Sequence, residues 1–238
     1  MLDEVDSTLN EARRIAPTLA GPEWILAYRQ SGGRGRRGRA WTDTRGNFAG
    51  TLVLRPDEPL NRAALRSFVA ALALHDACVA VTGRAEGLTL KWPNDVLLNG
   101  GKLAGILLES SGHGTGVNYL AIGVGVNLAD APSADALEPQ AVAAVSLRGE
   151  TGIEIDPDSF LTHLAKAYAA RERDFVTYGF APIRAAWLAR AARLGQEIVA
   201  RTATGETRGR FETVDGEGGL VLDTAQGRAV IQAADIYF

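Results

Sequence analysis

A glycine- and arginine-rich segment at residues 33–39 holds the densest group of side chains that could do chemistry. Four of its seven residues are arginines, although the chain carries a net charge of −3. Guanidinium groups and main-chain N–H groups bind polyanions, and glycine lets the backbone come close to them. The segment is therefore typical of a loop that wraps a triphosphate; an RNA-contacting segment and a solvated basic loop are the alternatives. It consists of Gly33, Arg34, Gly35, Arg36, Arg37, Gly38 and Arg39, and Trp41 follows.

A second group lies between two predicted strands, at residues 91–95. Lys91, Asn94 and Asp95 place a cation, an amide and a carboxylate close together, and Pro93 fixes the turn. In an adenylate site the cation would meet phosphate, and the carboxylate would meet a metal ion or an incoming amine. The pattern is equally that of an ordinary β-turn with Asn-Asp chemistry.

A lysine and three glycines mark two later strands. Lys102 opens a strand, and a hairpin would bring it near Asp95. Gly105 interrupts that strand, while Gly123 and Gly125 alternate on the next one and leave a bare face for a flat ligand. Close packing of the strand on a helix is the alternative. The glycines are not a dinucleotide fingerprint, because the strand–GxGxxG–helix context is missing.

The first helix begins next to a pair of hydroxyl side chains. We expect Thr8 to cap this helix, with Glu11 completing a capping box. Ser7 would then face inward and could present its hydroxyl to a ligand. The helix is expected to end near Pro22.

Apolar periodicity predicts an α+β fold with a small all-β domain at the C-terminus. The predicted division is 1–194 for the larger domain and 195–238 for the smaller one. The predicted strands are 2–5, 24–28, 50–54, 87–91, 95–98, 103–110, 118–127, 197–202, 207–213, 219–223 and 228–232. The predicted helices after the first are 62–82, 156–178, with Asp156 as its cap, and 182–194.

Composition excludes several classes of protein. Apolar residues make up 46% of the chain and charged residues 22%, which is typical of a globular protein. The net negative charge argues against a general nucleic-acid binder. The single cysteine, Cys78, lies in an apolar run and is expected in the core. The start lacks a signal-peptide pattern and no apolar stretch of about 18 residues is apparent, so we expect a cytoplasmic protein without a membrane span.

The order and spacing of these motifs resemble those of biotin protein ligases, also called biotin–[acetyl-CoA-carboxylase] ligases. The resemblance runs from Asp6 to the C-terminus and is most specific at 33–39 and 91–95. It implies a catalytic α+β domain with a mixed sheet, followed by an SH3-like barrel. It also implies that biotin reacts with ATP and Mg²⁺ to give biotinyl-5'-AMP, and that biotin then passes to a lysine of a biotin carboxyl carrier domain. Lipoate–protein ligases are the nearest alternative, and an RNA-binding module is the alternative from another class.

The resemblance also assigns residue roles. It implies contacts with biotin for Ser7, Thr8, Gln30, Gly33, Arg34, Arg36, Lys102, Gly105, Gly123 and Gly125. It implies contacts with ATP for Arg36, Arg39, Trp41 (on the adenine), Lys91, Asn94, Asp95 and Asn127. Lys102, Arg36 and Asp95 are the implied catalytic residues.

Partners and departures follow from the same resemblance. The family includes repressors with an N-terminal helix-turn-helix domain; because the biotin motif begins at residue 7, we expect no DNA binding. Sheet-edge pairing would allow a homodimer or acceptor docking. Leu9 stands where the family usually has Asn, Ser31 where Thr is common, and Gly32 where Ala is common. The arginine loop is expected to be mobile in the free enzyme and to close over the adenylate.

Overall fold

Two β-sheets organise this chain, and helices cover the larger one. The computed structural model describes residues 1–41, 44–112, 116–133, 142–202 and 204–238. The helices are α1 Thr8–Ile15, α2 Leu60–Ala64, α3 Arg66–Thr82, α4 Leu147–Thr151, α5 Pro157–Tyr178 and α6 Phe180–Leu188. The first six strands are β1 Glu23–Ala27, β2 Phe48–Leu54, β3 Leu88–Lys91, β4 Asp95–Leu98, β5 Gly101–Ser111 and β6 Tyr119–Val126. The others are β7 Glu197–Arg201, β8 Glu206–Val214, β9 Leu220–Thr224, β10 Gly227–Ile231 and β11 Asp235–Tyr237.

The larger sheet has six strands in the order β1-β2-β6-β5-β4-β3. Each neighbouring pair is antiparallel. Among the described residues, parallel pairing occurs in isolated bridges, such as Leu2 with Ala27 and Val5 with Gln30. The predicted strand at 2–5 therefore appears as two bridges along β1 and its continuation. The α+β class is confirmed. The sheet was expected to mix parallel and antiparallel strands, and its parallel pairs are these isolated bridges.

Helix α3 is the central helix of the core. It is apolar on nearly every side, because the sheet covers one face and α5 another. Its buried Arg66 forms ion pairs with Glu58 and Glu172, which compensate the charge. By length and composition, the span Leu60–Thr82 could cross a bilayer, contrary to the expectation that no such stretch exists. However, 67% of its apolar window is buried in this fold, as in the core helix of a globular protein.

The start and end of α1 differ from the prediction. Ser7, and not Thr8, is the cap: its hydroxyl accepts a hydrogen bond from the Leu9 N–H at 3.3 Å. Glu11 is therefore one position too late for a capping box. The helix ends at Ile15 and continues as a 3₁₀ turn, Ala16–Thr18, well before Pro22. Proline cannot donate the helical hydrogen bond, so Pro17 accounts for the early end.

The smaller sheet is antiparallel, with five strands in the order β10-β9-β8-β7-β11. Four strands correspond to predicted segments, and β11 was not predicted. This sheet contacts the larger domain directly: the indole of Trp92 donates to the Gly218 carbonyl at 3.0 Å, and Arg184 donates to the Val214 carbonyl at 2.5 Å. The predicted division after residue 194 falls between α6 and β7 and stays a prediction. The helix predicted at 182–194 is found at Phe180–Leu188.

Candidate functional site

A cavity of about 420 Å³ opens where the larger sheet meets the arginine loop and β11. Every residue predicted for the site lines this cavity except Gly33. The predicted residues on its walls are Ser7, Thr8, Gln30, Arg34, Arg36, Arg39, Trp41, Lys91, Asn94, Asp95, Lys102, Gly105, Gly123, Gly125 and Asn127. Gly33 lies just behind, where its carbonyl accepts a hydrogen bond from the Trp41 N–H at 3.0 Å. Segments far apart in sequence thus converge on one place.

The Lys102 ammonium and the Asp95 carboxylate form an ion pair in this cavity. Their Nζ and Oδ1 atoms are 2.8 Å apart, although the geometry is not that of an aligned hydrogen bond. The hairpin predicted from their spacing is present. Asn99 and Gly100 form its two-residue turn with φ values of 51° and 83°, as type I′ turns require.

A register shift in this hairpin sets the directions of the site residues. Asp95 lies opposite Gly105, but Leu97 lies opposite Lys102, with an irregularity between Val96 and Leu97. Lys102 and Gly105 are three residues apart, so in a regular strand they would face opposite sides of the sheet. Because of the bulge, both border the cavity.

The rest of the 91–95 motif is held by β5 and by burial. The side-chain amide of Asn94 donates to the Ile106 main-chain carbonyl at 2.6 Å. The Ile106 N–H in turn donates to the main-chain carbonyl of Asn94 at 2.9 Å. Burial lowers the pKa of Lys91, and the nearby carboxylate of Asp95 opposes that shift. The peptide bond between Trp92 and Pro93 is cis. Asn94 is thus a brace between two strands as well as a wall of the cavity.

A polar group closes the end of the cavity near α1. The Gln30 side-chain oxygen accepts hydrogen bonds from the N–H and the hydroxyl of Thr8, at 2.9 and 3.1 Å. The hydroxyl of Thr51 donates to that of Thr8 at 2.8 Å. Ser7 is buried and caps the helix. Sequence reasoning missed Thr51, because a threonine inside an apolar strand gives no functional signal.

Leu9 fills the space above one of the bare glycines. A methyl group at Gly123 would lie 3.0–3.1 Å from the Leu9 side chain. The residue that replaces the family's usual Asn therefore packs on the sheet face and belongs to a small apolar cluster with Ala12 and Ile25. In this structure the strand packs closely on the first helix at Gly123, as the alternative interpretation expected. The role of Gly123 as a wall for biotin stays a prediction.

Trp41 covers the other two glycines. A methyl group at Gly125 would lie 2.5–2.7 Å from the indole, and one at Gly105 would lie 3.3 Å from it. The ring also lies 5.8 Å from the Lys102 ammonium, and its buried N–H has no hydrogen-bond partner. The bare face expected to meet biotin directly is thus covered by Trp41, and stacking of this ring on adenine stays a prediction.

Carboxylates hold the arginines of the loop. Glu109 binds Arg34 through two hydrogen bonds of 2.9 and 2.8 Å. Asp235 contacts three others: Arg39 at 2.9 Å, Arg37 at 2.7 Å and, more distantly, Arg36 at 3.8 Å. The loop thus makes ion pairs with both sheets in this structure, while its expected mobility in the free enzyme stays a prediction. Asp235 escaped prediction because it opens a three-residue strand far away in sequence.

Asn127 has a structural role in addition to its place on the cavity wall. Its side-chain amide donates to the Val145 main-chain carbonyl at 3.1 Å. Its own main-chain carbonyl accepts a hydrogen bond from the Leu147 N–H at 2.8 Å. Lys102 binds the same segment, because its N–H donates to the Ala143 carbonyl at 2.7 Å. The walls that sequence reasoning missed include Pro132, Val142, Ala144, Asp235, Ile236 and Tyr237.

The donor set of the cavity fits anionic and planar ligands better than a resident metal ion. Among the described residues, no group of three His, Cys, Asp or Glu side chains could hold a metal. The described carboxylates on its wall are Asp95 and Asp235, and each is paired with cations. The cavity therefore offers a ligand several cations beside a largely apolar wall, and the cations are Arg34, Arg36, Arg39, Lys91 and Lys102.

Two family models match most of the chain, residues 2–127 and 194–238. The model of the biotin/lipoate A/B protein ligase family matches residues 2–127. The model of the biotin protein ligase C terminal domain matches residues 194–238, the region of the smaller sheet. The first model therefore contains every predicted site residue, and the second contains Asp235, Ile236 and Tyr237 of the cavity wall.

Individual proteins and structures agree with the family models. A biotin–[acetyl-CoA-carboxylase] ligase of Paracoccus denitrificans is 58% identical, over 100% of this chain and 99% of that protein. The bifunctional ligase/repressor BirA of Bacillus subtilis is 35% identical, over 98% of this chain and 72% of that protein. The biotin protein ligase of Aquifex aeolicus, solved in complex with biotin and ATP, has a TM-score of 0.81 at 26% identity, covering 99% of this chain and 95% of that one.

Proposed function

This chain belongs to the biotin/lipoate A/B protein ligase family, and on that premise we propose that it is a biotin–[acetyl-CoA-carboxylase] ligase. It activates biotin with ATP as biotinyl-5'-AMP and transfers the biotinyl group to a lysine. The observation that carries this function is the convergence of the arginine loop, the Lys102–Asp95 pair and β11 on one cavity. The 58% identity over the whole chain supports the same reaction.

The first step joins two anions, so the site must reduce their repulsion. The biotin carboxylate attacks the α-phosphate of ATP, and pyrophosphate leaves. Lys102, Lys91 and Arg36 place positive charge along the cavity where the phosphates would lie. Lys91 and Lys102 stand on strands of the sheet, so they stabilise the developing charge without a large rearrangement, and Arg36 adds its charge from the loop.

The second step consumes the mixed anhydride. A neutral lysine of the acceptor attacks the acyl carbon, and AMP leaves. Asp95 is our candidate for orienting that amine or accepting its proton, because it is a carboxylate at the cavity wall within reach of Lys102. Closure of the loop over the adenylate would keep water from hydrolysing it.

Three finer points belong to the proposal. Mg²⁺ would be held mainly by the ATP phosphates, because the carboxylates on the cavity wall are paired with cations. The acceptor is a biotin carboxyl carrier domain of a carboxylase, and the name of the Paracoccus relative supports a carboxylase as the acceptor protein. The dependence on ATP supports a cytoplasmic location, which fractionation of a tagged chain would test.

Assembly and DNA binding are proposals too. An open sheet edge would serve either a second copy of the chain or the acceptor, and sedimentation with and without acceptor separates the two. We propose no operator binding, which a mobility-shift assay tests. The RNA-binding alternative finds no support, because the loop arginines face carboxylates and the cavity and do not form a free basic surface.

The deciding experiment is ATP–pyrophosphate exchange, run in parallel with biotin and with lipoate. We expect exchange that requires biotin and Mg²⁺, followed by labelling of a purified biotin carboxyl carrier domain. Exchange with lipoate alone would keep the adenylation chemistry and change the substrate. Absence of exchange with either acid would contradict the proposed function.

A further inference from the structure

One carboxylate from the smaller sheet gathers most of the positive charge of the arginine loop. Both oxygens of Asp235 accept hydrogen bonds from Arg39 at 2.9 Å, and one accepts from Arg37 at 2.7 Å. Arg36 lies 3.8 Å from the same carboxylate and donates to the adjacent Ala234 carbonyl at 3.1 Å. The loop and β11 are about 200 positions apart in sequence, so this contact is purely tertiary.

The carboxylate is held in place by its own sheet. Asp235 opens β11, which pairs with β7 through Ile236 opposite Ala200 and Tyr237 opposite Val199. Ile236 is buried, and the Asp235 side chain is only 15% exposed. Asp235 itself lies opposite Arg201 of β7, so it presents its charge from a paired position to a loop that contains three glycines.

Without a counter-ion, the arginine side chains of the loop would repel one another in the arrangement that the structure shows. Arg36, Arg37 and Arg39 carry like charges and converge on one point, and burial already disfavours the charged form of Arg36 by lowering its pKa. Repulsion at such distances is substantial where water is partly excluded. A single carboxylate among three guanidinium groups offsets this repulsion and leaves net positive charge for a polyanion.

A different carboxylate controls the other half of the loop. Glu109 on β5 pairs with Arg34 in a two-bond arrangement. The loop is thus anchored at two separate points, one on the larger sheet and one on the smaller sheet. Arg34 is expected to contact biotin, Arg39 is expected to contact ATP, and Arg36 is expected to contact both, so the anchor at Asp235 holds both arginines that are expected to meet the nucleotide.

We propose that Asp235 is a positioning residue for ATP: it holds Arg36 and Arg39 where the phosphates arrive and so makes the C-terminal sheet part of the nucleotide site. The inference rests on the proposed function. It does not make Asp235 a catalytic residue, because the carboxylate acts through the arginines. It predicts that loss of the charge weakens the use of ATP more than the use of biotin.

The test compares Asp235→Asn, Asp235→Glu and Asp223→Asn in the full chain. Asp223 is a matched control, because it is an exposed carboxylate of the same sheet that pairs with Arg210 away from the cavity. In pyrophosphate exchange we expect Asp235→Asn to raise KM for ATP about ten-fold, which is the scale of one lost charge-assisted hydrogen bond. KM for biotin should change by less than about two-fold, and Asp235→Glu should recover part of the loss.

A second readout does not depend on activity. Trypsin cleaves after arginine, so the ligand-free protein reports how firmly residues 36–39 are held. We expect faster cleavage in this loop for Asp235→Asn than for wild type or Asp223→Asn, at unchanged Tm.

Several results would overturn the inference. These are an unchanged KM for ATP, an equal rise in both KM values, the same effect in Asp223→Asn, or unchanged cleavage of the loop. A lower KM for ATP would also overturn it, since the carboxylate would then compete with phosphate. If wild type showed no biotin-dependent exchange, the proposed function would fail, and the cleavage comparison would still decide whether Asp235 holds the loop.

Discussion

The Asp95 carboxylate and the Lys102 ammonium lie 2.8 Å apart on the wall of the cavity. Their strands are joined by a tight turn, so the pair is positioned by local structure and not by a mobile loop. The side chain of Lys102 is 32% exposed, and that of Asp95 is 14% exposed. A ligand in the cavity can therefore meet both side chains, and the lysine is the more exposed of the two.

Replacement of Lys102 by alanine should remove most of the activity. We expect turnover in pyrophosphate exchange to fall roughly 10²–10³-fold, the scale of losing one preorganised donor to the transition state. Lys166→Ala is the control, because Lys166 is exposed on α5, away from the cavity. Near-normal turnover of Lys102→Ala would remove this lysine from the mechanism.

Arg36 and Arg37 are adjacent but should have different roles. Arg36 lines the cavity and is largely buried, whereas the Arg37 side chain is 45% exposed. We expect Arg36→Ala to release free biotinyl-adenylate, because the closed loop loses its contact with the phosphate. Arg37→Ala should release much less. Chromatography of the reaction mixture measures the free adenylate, and equal retention by Arg36→Ala and wild type would refute the role of Arg36.

The two glycines of β6 should differ in their tolerance of a side chain. A methyl group at Gly125 would meet the rigid indole of Trp41 at 2.5–2.7 Å, whereas one at Gly123 would meet the flexible end of Leu9. We expect Gly125→Ala to raise KM for ATP and biotin several-fold more than Gly123→Ala, because Trp41 must leave its position. Leu9→Ala should relieve Gly123→Ala in a double-mutant cycle. Equal effects at both glycines would show that the position of Trp41 does not require a glycine at 125.

Cys78 should be inert in the folded protein. Burial raises its pKa to about 12, from a usual value of 9.0. A thiol reagent at pH 8 should therefore react only after denaturation. Because the folded pKa is the higher one, the contribution of this thiol to stability is present below about pH 9 and is lost as pH rises toward 12. The free energy of unfolding should thus fall more steeply in wild type than in Cys78→Ala over that range; parallel curves would contradict the prediction.

Local patterns predicted the elements well, but they did not predict contacts between distant segments. The hairpin around Asn99 and the cap at Asp156 depend on neighbouring residues, and both were found where expected. The engagement of the arginine loop by Asp235 depends on how two sheets pack together. No periodicity within the chain carries that information, so a three-residue strand with a carboxylate on the cavity wall went unnoticed.

Errors at single residues have similar causes. Ser7 and Thr8 are both good caps, and only the backbone conformation decides between them. The glycines at 105 and 125 correctly indicated that something lies close to the sheet. The sequence did not reveal that the chain's own Trp41 occupies that place.

The irregular pairing between β4 and β5 has a consequence for anyone who would transplant this site. Lys102 and Gly105 are separated by an odd number of positions, yet both face the cavity because the ladder slips by one residue beside Val96. An ideal hairpin with the same residues would turn one of them into the core. A designed scaffold must therefore reproduce the register shift together with the side chains. A library of perfectly regular sheets would contain no scaffold that turns both residues toward one cavity.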